Sequence, residues 1–354
     1  MFSKLKKVFY WCIFYSGLVY VIRILYNKLH GNPIRILYTH RIIDKTDVMY
    51  PFMRELGYLT VEEFEKKLRF IKSHFQIITL AQALDYLKRK QRPANCLVLT
   101  FDDGYQCNYD KAYPVLKKLD VPATIFLSVD LVENDAVNWR DRLMKYVGRT
   151  KVDSLVIPVM GAQRLQFKTG KLKAEAFLKI NCYLKTLPDD DIEPNLEHIR
   201  RLLKADDDEC CDRLMLSWAE VQEMMGSGLV AFGAHTLTHP ILTRISLDRA
   251  AHEISESKVA LEAKLGQKVA WFAYPNGDFD LLTAQTVERC GYLAAFTTCP
   301  GGNGSNADSY TLKRDGFTRE AVFMFGLTVT GFFDFIRMFF AAIKRLVGNW
   351  KEKN

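Results

Sequence analysis

Short apolar runs recur along the middle of this chain, each followed by a segment whose apolar residues return at helical spacing. Residues 34–39, 96–101, 123–128, 229–233, 269–274 and 293–297 are rich in β-branched or aromatic side chains and bounded by turn or polar residues, which predicts strands. Residues 60–74, 80–90, 109–119, 217–226, 246–265 and 280–290 carry the longer period and predict helices. Thr60 with Glu63, and Ser217 with Glu220, have the spacing of a capping box, in which each residue satisfies an N–H of the other. Regular alternation of the two patterns predicts an α/β chain of parallel strands joined by crossover helices, in a barrel or an open sheet.

Three stretches break the rhythm. Residues 131–216 are helix-rich and charged, with acidic clusters at 189–191 and 206–209, and read as an insertion between two strands that forms a lid or groove wall. Residues 8–22 are apolar and aromatic between Lys6–Lys7 and Arg23. They are short for a span of roughly 20 residues. No small-residue cleavage site follows, and the aromatic residues suit a membrane interface, so an uncleaved N-terminal anchor is expected. Residues 321–347 are apolar but interrupted by Asp334, Arg337, Lys344 and Arg345, which predicts one or two amphipathic helices. The expected plan is therefore a membrane-associated segment at 1–30, a central α/β domain at 31–318 and a C-terminal amphipathic segment at 319–354.

Charge changes the picture at the ends. The chain of 354 residues has a net charge of +8. Residues 1–43 hold seven Lys or Arg and no acid, and residues 319–354 hold six against three acids, so the middle carries about −2. Nucleic-acid binding needs a basic face on the folded domain, and the distribution excludes one. Basic ends beside apolar stretches point to a membrane surface, on a side that flanking lysines and arginines do not settle. The eight cysteines fit no metal ribbon and no CxxC pair, and no disulfide framework is predicted.

Two predicted strands end in candidate chemistry. The run Leu97-Val98-Leu99-Thr100-Phe101 is followed by Asp102-Asp103-Gly104-Tyr105. Active groups of α/β barrels sit at the C-terminal ends of strands, where these carboxylates fall. A second strand, residues 229–233, leads to His235 and His239. On one helical turn that spacing would put both imidazoles on one face. Two imidazoles and one carboxylate, with open positions left over, suit a single divalent cation. Read alone, the first run is also an ordinary strand-end turn and the second a pair of surface histidines.

Together, TFDDG at 100–104 and HTLTH at 235–239 resemble the first two signature motifs of the polysaccharide deacetylases (NodB homology, carbohydrate esterase family 4). Phe272-Ala273-Tyr274-Pro275-Asn276-Gly277-Asp278 resembles the third, and the likeness extends over residues 34–315. The resemblance implies a distorted (β/α) barrel, seven-stranded, with a helical insertion. It implies Asp103, His235 and His239 as ligands of one divalent cation, Zn2+ first, with Co2+, Ni2+ or Mn2+ as competitors. It implies Asp102 as the general base that activates water. The substrate side would be Pro275 and Asn276, whose backbone N–H sits at the oxyanion position, with the N–H of Tyr105 a weaker candidate.

The chain departs from the pattern in three places. The arginine that orients the base in many members is here Ala273, the tyrosine usual after the proline is Asn276, whose backbone role survives the change, and the C-terminal Leu-x-His that supplies the acid is missing, since no histidine follows His252. Residues 36–41 instead form a strand ending in His40. This resembles the poly-N-acetylglucosamine deacetylase branch, whose motif order is permuted, and implies His40 as the general acid. The leading expectation is an N-deacetylase of an N-acetylated polysaccharide, with no nucleic acid or protein partner. Competing readings are a deacylase of a lipid-linked sugar or O-acetyl ester, and an inactive carbohydrate-binding protein on the same fold.

Overall fold

A computed structural model describes residues 4–89, 92–161, 163–206, 213–317 and 319–351, with side chains from 5 to 341. Cys210 and Cys211 lie outside the described residues. Seven parallel strands form the centre: β1 (Arg35–Thr39), β2 (Cys96–Phe101), β3 (Ala123–Leu127), β4 (Val230–Ala234), β5 (Trp271–Ala273), β6 (Ala294–Phe296) and β7 (Asp315–Gly316). Their spatial order is β6-β5-β4-β3-β2-β1-β7, and an eighth, two-residue parallel strand, Gln76–Ile77, pairs with the start of β2 off this order. A parallel bridge from Phe296 to Leu312, just before β7, joins the two ends of the sheet and curls it into a distorted barrel.

The six predicted strands are all present to within two residues at either end. The seventh went unseen because only two of its residues pair, Asp315 and Gly316 against Leu37 and Tyr38. Strands this short carry no readable periodicity. β2 is buried at every position, as a parallel strand covered on both faces requires. In β4, Gly233 is dictated by a close approach: a Cβ there would lie 2.7 Å from the Phe126 ring and 3.0 Å from the Trp271 carbonyl.

The helices of seven residues or more are α1 (Lys4–Tyr15), α2 (Leu18–His30), α3 (Val61–His74), α4 (Leu80–Lys88), α5 (Tyr113–Leu119), α6 (Trp139–Arg149), α7 (Gly170–Thr186), α8 (Asp189–Leu202), α9 (Trp218–Gly226), α10 (Leu247–Leu265), α11 (Leu281–Arg289), α12 (Val322–Val329) and α13 (Phe332–Lys351). Both expected capping boxes form, at Thr60 with Glu63 and at Ser217 with Glu220. The segment expected as one helix from 109 opens instead with a π-helical turn, Asn108–Ala112, before α5. The main core lies between the barrel and α3, α5, α9 and α10, and includes Phe64, Phe101, Phe232 and Phe272.

The insertion has its own core. Leu143, Val147, Phe177, Ile180 and Ile199 from α6, α7 and α8 pack together and recruit Ile43, Phe52 and Met53 from beyond β1. The wall is thus held to the barrel by apolar packing. Both apolar ends bend: α1 meets α2 at 76°, and α12 meets α13 at 58°. The run at 8–22 is therefore interrupted near Ser16 and Gly17, where Gly17 adopts φ 78°. No single helix among the described residues is long and apolar enough to cross a membrane.

Candidate active site

Asp102 and Asp103 leave the end of β2 and part company at once. Asp103 (φ 76°) and Gly104 (φ 83°) both adopt left-handed backbone, which swings the two adjacent carboxylates toward different partners. Gly104 also sits where a Cβ would lie 2.6 Å from Leu127, so the position admits no side chain.

Asp103 turns toward the end of β4. Its Oδ1 lies 3.3 Å from His235 Nε2 and 3.1 Å from His239 Nε2. His235 Nδ1 is 2.7 Å from the Ala273 carbonyl, which can only accept, so Nδ1 carries the proton and Nε2 presents a lone pair. Asp103 Oδ1 is buried and has no hydrogen-bond donor. The three groups offer ligand atoms that all lie within 4.8 Å of one another. A buried carboxylate oxygen without a donor, facing the His235 lone pair and the His239 ring nitrogen, is what a cation would compensate, so the donor set fits one divalent ion.

The histidines do not share a helical turn, as their spacing had suggested. Residues 235–241 form a loop in which Thr236 (φ 67°) and His239 (φ 66°) are left-handed. Glu253 on α10 shapes it. The backbone N–H groups of Leu237 and Thr238 donate to its carboxylate at 2.9 and 3.0 Å, and the Thr238 hydroxyl at 2.6 Å. Satisfying two consecutive N–H groups with one buried carboxylate fixes a turn that regular structure would not make. The Thr236 hydroxyl accepts from the His239 N–H at 3.0 Å and closes the loop.

Asp102 turns the other way, toward a residue the sequence had not flagged. Arg314, wholly buried beside β7, grips both carboxylate oxygens at 2.7 and 2.8 Å. The same guanidinium donates to the Thr297 carbonyl at 2.9 Å and to the Thr100 hydroxyl at 3.2 Å. It also lies over the Tyr38 ring at 4.9 Å. Burial would raise the Asp102 pKa, but the charge and hydrogen bonds of Arg314, together with the charges of His235 and His40, hold the group below the ordinary carboxylate value. The absence of an arginine at 273 is therefore made good from the opposite end of the sheet. The only trace in the sequence is Lys313-Arg314-Asp315, which reads as a polar turn.

His40 follows β1, the neighbour of β2, with its carbonyl accepting from Asn108 at 2.8 Å. Burial lowers its pKa, while the carboxylates of Asp103 and Asp102 pull it back up, which places the imidazole within electrostatic reach of both. Pro275 is buried and Asn276 is exposed in a turn with φ 59°. The Asn276 side chain accepts from Lys185 of α7, so the insertion reaches across to the third motif. Tyr105 has its side chain in the opposite wall, where its hydroxyl donates to Asp141 of α6 at 2.7 Å and Arg41 stacks over its ring.

The family model for polysaccharide deacetylase matches residues 89–295. Protein YxkH of Bacillus subtilis (strain 168), placed among the polysaccharide deacetylases by its name, is 22% identical over 255 residues, 72% of this chain and 63% of its own length. The chain thus spans less than two thirds of that relative. A poly-beta-1,6-N-acetyl-D-glucosamine N-deacetylase of Staphylococcus epidermidis is 37% identical over 70 residues, 20% of this chain and 24% of its own. Among solved structures, Streptococcus pyogenes deacetylase PplD in complex with acetate superposes with a TM-score of 0.56 at 20% identity, over 84% of this chain and 98% of that one. IcaB from Ammonifex degensii gives 0.55 at 19%, over 85% and 98%. These structures share the fold. With the signature residues gathered at the ends of its strands and the family model covering more than half its length, this chain belongs to the polysaccharide deacetylase family.

Proposed function

We propose that the protein is a metal-dependent N-deacetylase that hydrolyses acetamido groups of an N-acetylated amino sugar in a polysaccharide, of the poly-N-acetylglucosamine kind. One observation carries the reading: Asp103, His235 and His239 converge on a point beside a carboxylate, Asp102, that is clamped by a buried arginine, with His40 at the end of the neighbouring strand and within electrostatic reach. Asp103, His235 and His239 would hold the cation. When bound, a divalent ion supplies Lewis-acid polarisation of the amide carbonyl and makes water more acidic.

The chain's own groups divide the remaining work. Asp102, kept ionised by Arg314, takes a proton from the attacking water as the oxygen bonds to the acetamido carbon. His40 gives a proton to the sugar nitrogen as the carbon–nitrogen bond breaks, so that acetate and a free amine leave. The Asn276 backbone, held in its left-handed turn, is the proposed donor to the developing oxyanion. Arg314 keeps Asp102 ionised as a base requires, whereas burial makes the His40 imidazolium a stronger acid that is protonated only below its ordinary range. Zn2+ suits two imidazoles and one carboxylate best, with Co2+, Ni2+ and Mn2+ as competitors.

Acetate release should be followed on acetylated glucosamine oligomers, O-acetyl esters and lipid-linked sugars, with and without chelator and with each metal restored. Release from the oligomers alone, lost on chelation and recovered with Zn2+, is the expected result. Turnover that survives complete removal of metal would refute the proposal.

A further inference from the structure

We infer that the helices at the two ends of the chain form one docking surface that lies in the plane of an anionic lipid bilayer. The ends are far apart in sequence yet meet in space. Ile13, Phe14 and Val19 from α1 and α2 pack against Met324, Leu327 and Phe332 from α12 and α13 as a separate small core. Tyr10 closes it edge-on against Phe332 and Phe333.

That core uses one face of each helix. The opposite faces are also apolar, and they are uncovered. Phe9 and Trp11 on α1, Val21 and Ile24 on α2, and Phe339 and Phe340 on α13 are each more than half exposed. Scattered apolar residues on a surface are ordinary, but large aromatic and aliphatic groups concentrated on packed neighbouring helices mark an interaction site.

Three observations select lipid and an in-plane pose. First, the inward faces are fastened to the barrel by polar groups. Arg35 at the start of β1 pairs with Asp334 of α13 and with Asp315 of β7. Tyr26 of α2 donates to the same Asp334 at 3.3 Å, and Arg23 donates to the His74 carbonyl at 3.3 Å. Helices tied down this way, and bent by 76° and 58°, can lie on a bilayer but cannot be ringed by it. Second, Lys7 and Lys28 are exposed on the same helices, and no acidic residue precedes Asp44. Two copies pressed face to face would oppose like charges, whereas anionic headgroups complement them. Third, tryptophan and phenylalanine among lysines is the composition of helices that settle at the headgroup boundary.

The geometry also leaves the cleft free. The Arg35–Asp334 tie sits at the start of β1, and His40 follows its end, a strand length of about 17 Å away. Docking through the helices would hold the enzyme at the surface while its cleft stays open to a polymer.

Flotation of the full-length protein with vesicles of phosphatidylcholine, alone or mixed with phosphatidylglycerol, tests this. Wild-type protein should partition onto the mixed vesicles at least about tenfold more strongly than onto the neutral ones. The variant Phe9→Glu/Trp11→Glu/Ile24→Glu changes only exposed positions and should lose on the order of a hundredfold. Lys7→Gln/Lys28→Gln should lose about fivefold per lysine and most of its preference for the anionic lipid. Circular dichroism and thermal melting show that each variant is folded. Folded wild-type protein left behind by anionic vesicles would overturn the inference. So would undiminished binding by the triple variant, or a dimer that the triple variant dissolves without any vesicle binding.

Discussion

Replacing Arg314 with methionine is the sharpest perturbation of this site. Methionine fills much of the same volume and removes both hydrogen bonds to Asp102 along with the charge. Asp102 is 2% exposed, so water cannot take over as the guanidinium's substitute. Breaking a buried pair by deleting one partner costs about 3–5 kcal/mol of stability, because the remaining charge is stranded. The protein can relieve part of that by protonating Asp102, since burial then raises its pKa against only His235 and His40. Two consequences are linked. Urea denaturation at neutral pH should show the loss of stability, and the acid limb of kcat/KM should move to higher pH, with a fall of about a hundredfold or more at neutral pH. Chelatable metal should be unchanged, because none of Asp103, His235 and His239 touches Arg314. The double variant Asp102→Asn/Arg314→Met should recover most of the lost stability with no recovery of activity. A single Arg314→Met variant with wild-type kcat/KM and an unmoved acid limb would refute the tether.

Three further outcomes are expected. His40→Gln should lower kcat by about 10²–10⁴-fold with full metal content, and the wild-type fall in kcat/KM on the alkaline side should lie below the ordinary imidazole value of 6.5, since an acid with a depressed pKa loses its proton early; a limb above that value contradicts the assignment. Glu253→Ala should weaken metal binding by about 10–100-fold by freeing the loop between His235 and His239, with Glu253→Gln keeping part of it, as metal titration would show. Burial, opposed by Glu320 and Glu63, pushes the Lys67 pKa down to about 8 from 10.5. The folded chain thus gives up that proton first, so between these values the unfolded state binds more protons and stability rises with pH, by up to about 3 kcal/mol. Lys67→Met should lack that rise, so the wild-type-minus-variant curve of unfolding free energy should climb across this range, and a flat difference would refute the assignment.

Much of the fold was readable because burial imposes periodicity. The strands 96–101 and 123–127 are buried throughout, and apolar but for Thr100 and Thr124, since helices or the barrel interior cover both faces, and the helices of the barrel show one apolar stripe each. The candidate ligand set was readable for a related reason. Carboxylates and imidazoles at strand ends stand out against apolar surroundings, and Asp102, Asp103, His235 and His239 each follow such a run. The insertion announced itself by losing the alternation, though not that residues 43–58 would complete its core.

What the sequence determined by itself was therefore local: which segments are strands and helices, and which side chains end up at the mouth of the barrel. Arg314 belongs to the other kind of fact. A lone arginine beside a two-residue strand has no period and no motif, and it meets Asp102 only because the sheet closes and brings residues 212 positions apart into contact. The loop that aims His239, shaped by a carboxylate from α10, and the meeting of the two chain ends around Arg35 and Asp334 arise in the same way. Such contacts depend on long-range packing, where one side chain answers to many others at once, and no window of neighbouring residues carries that information.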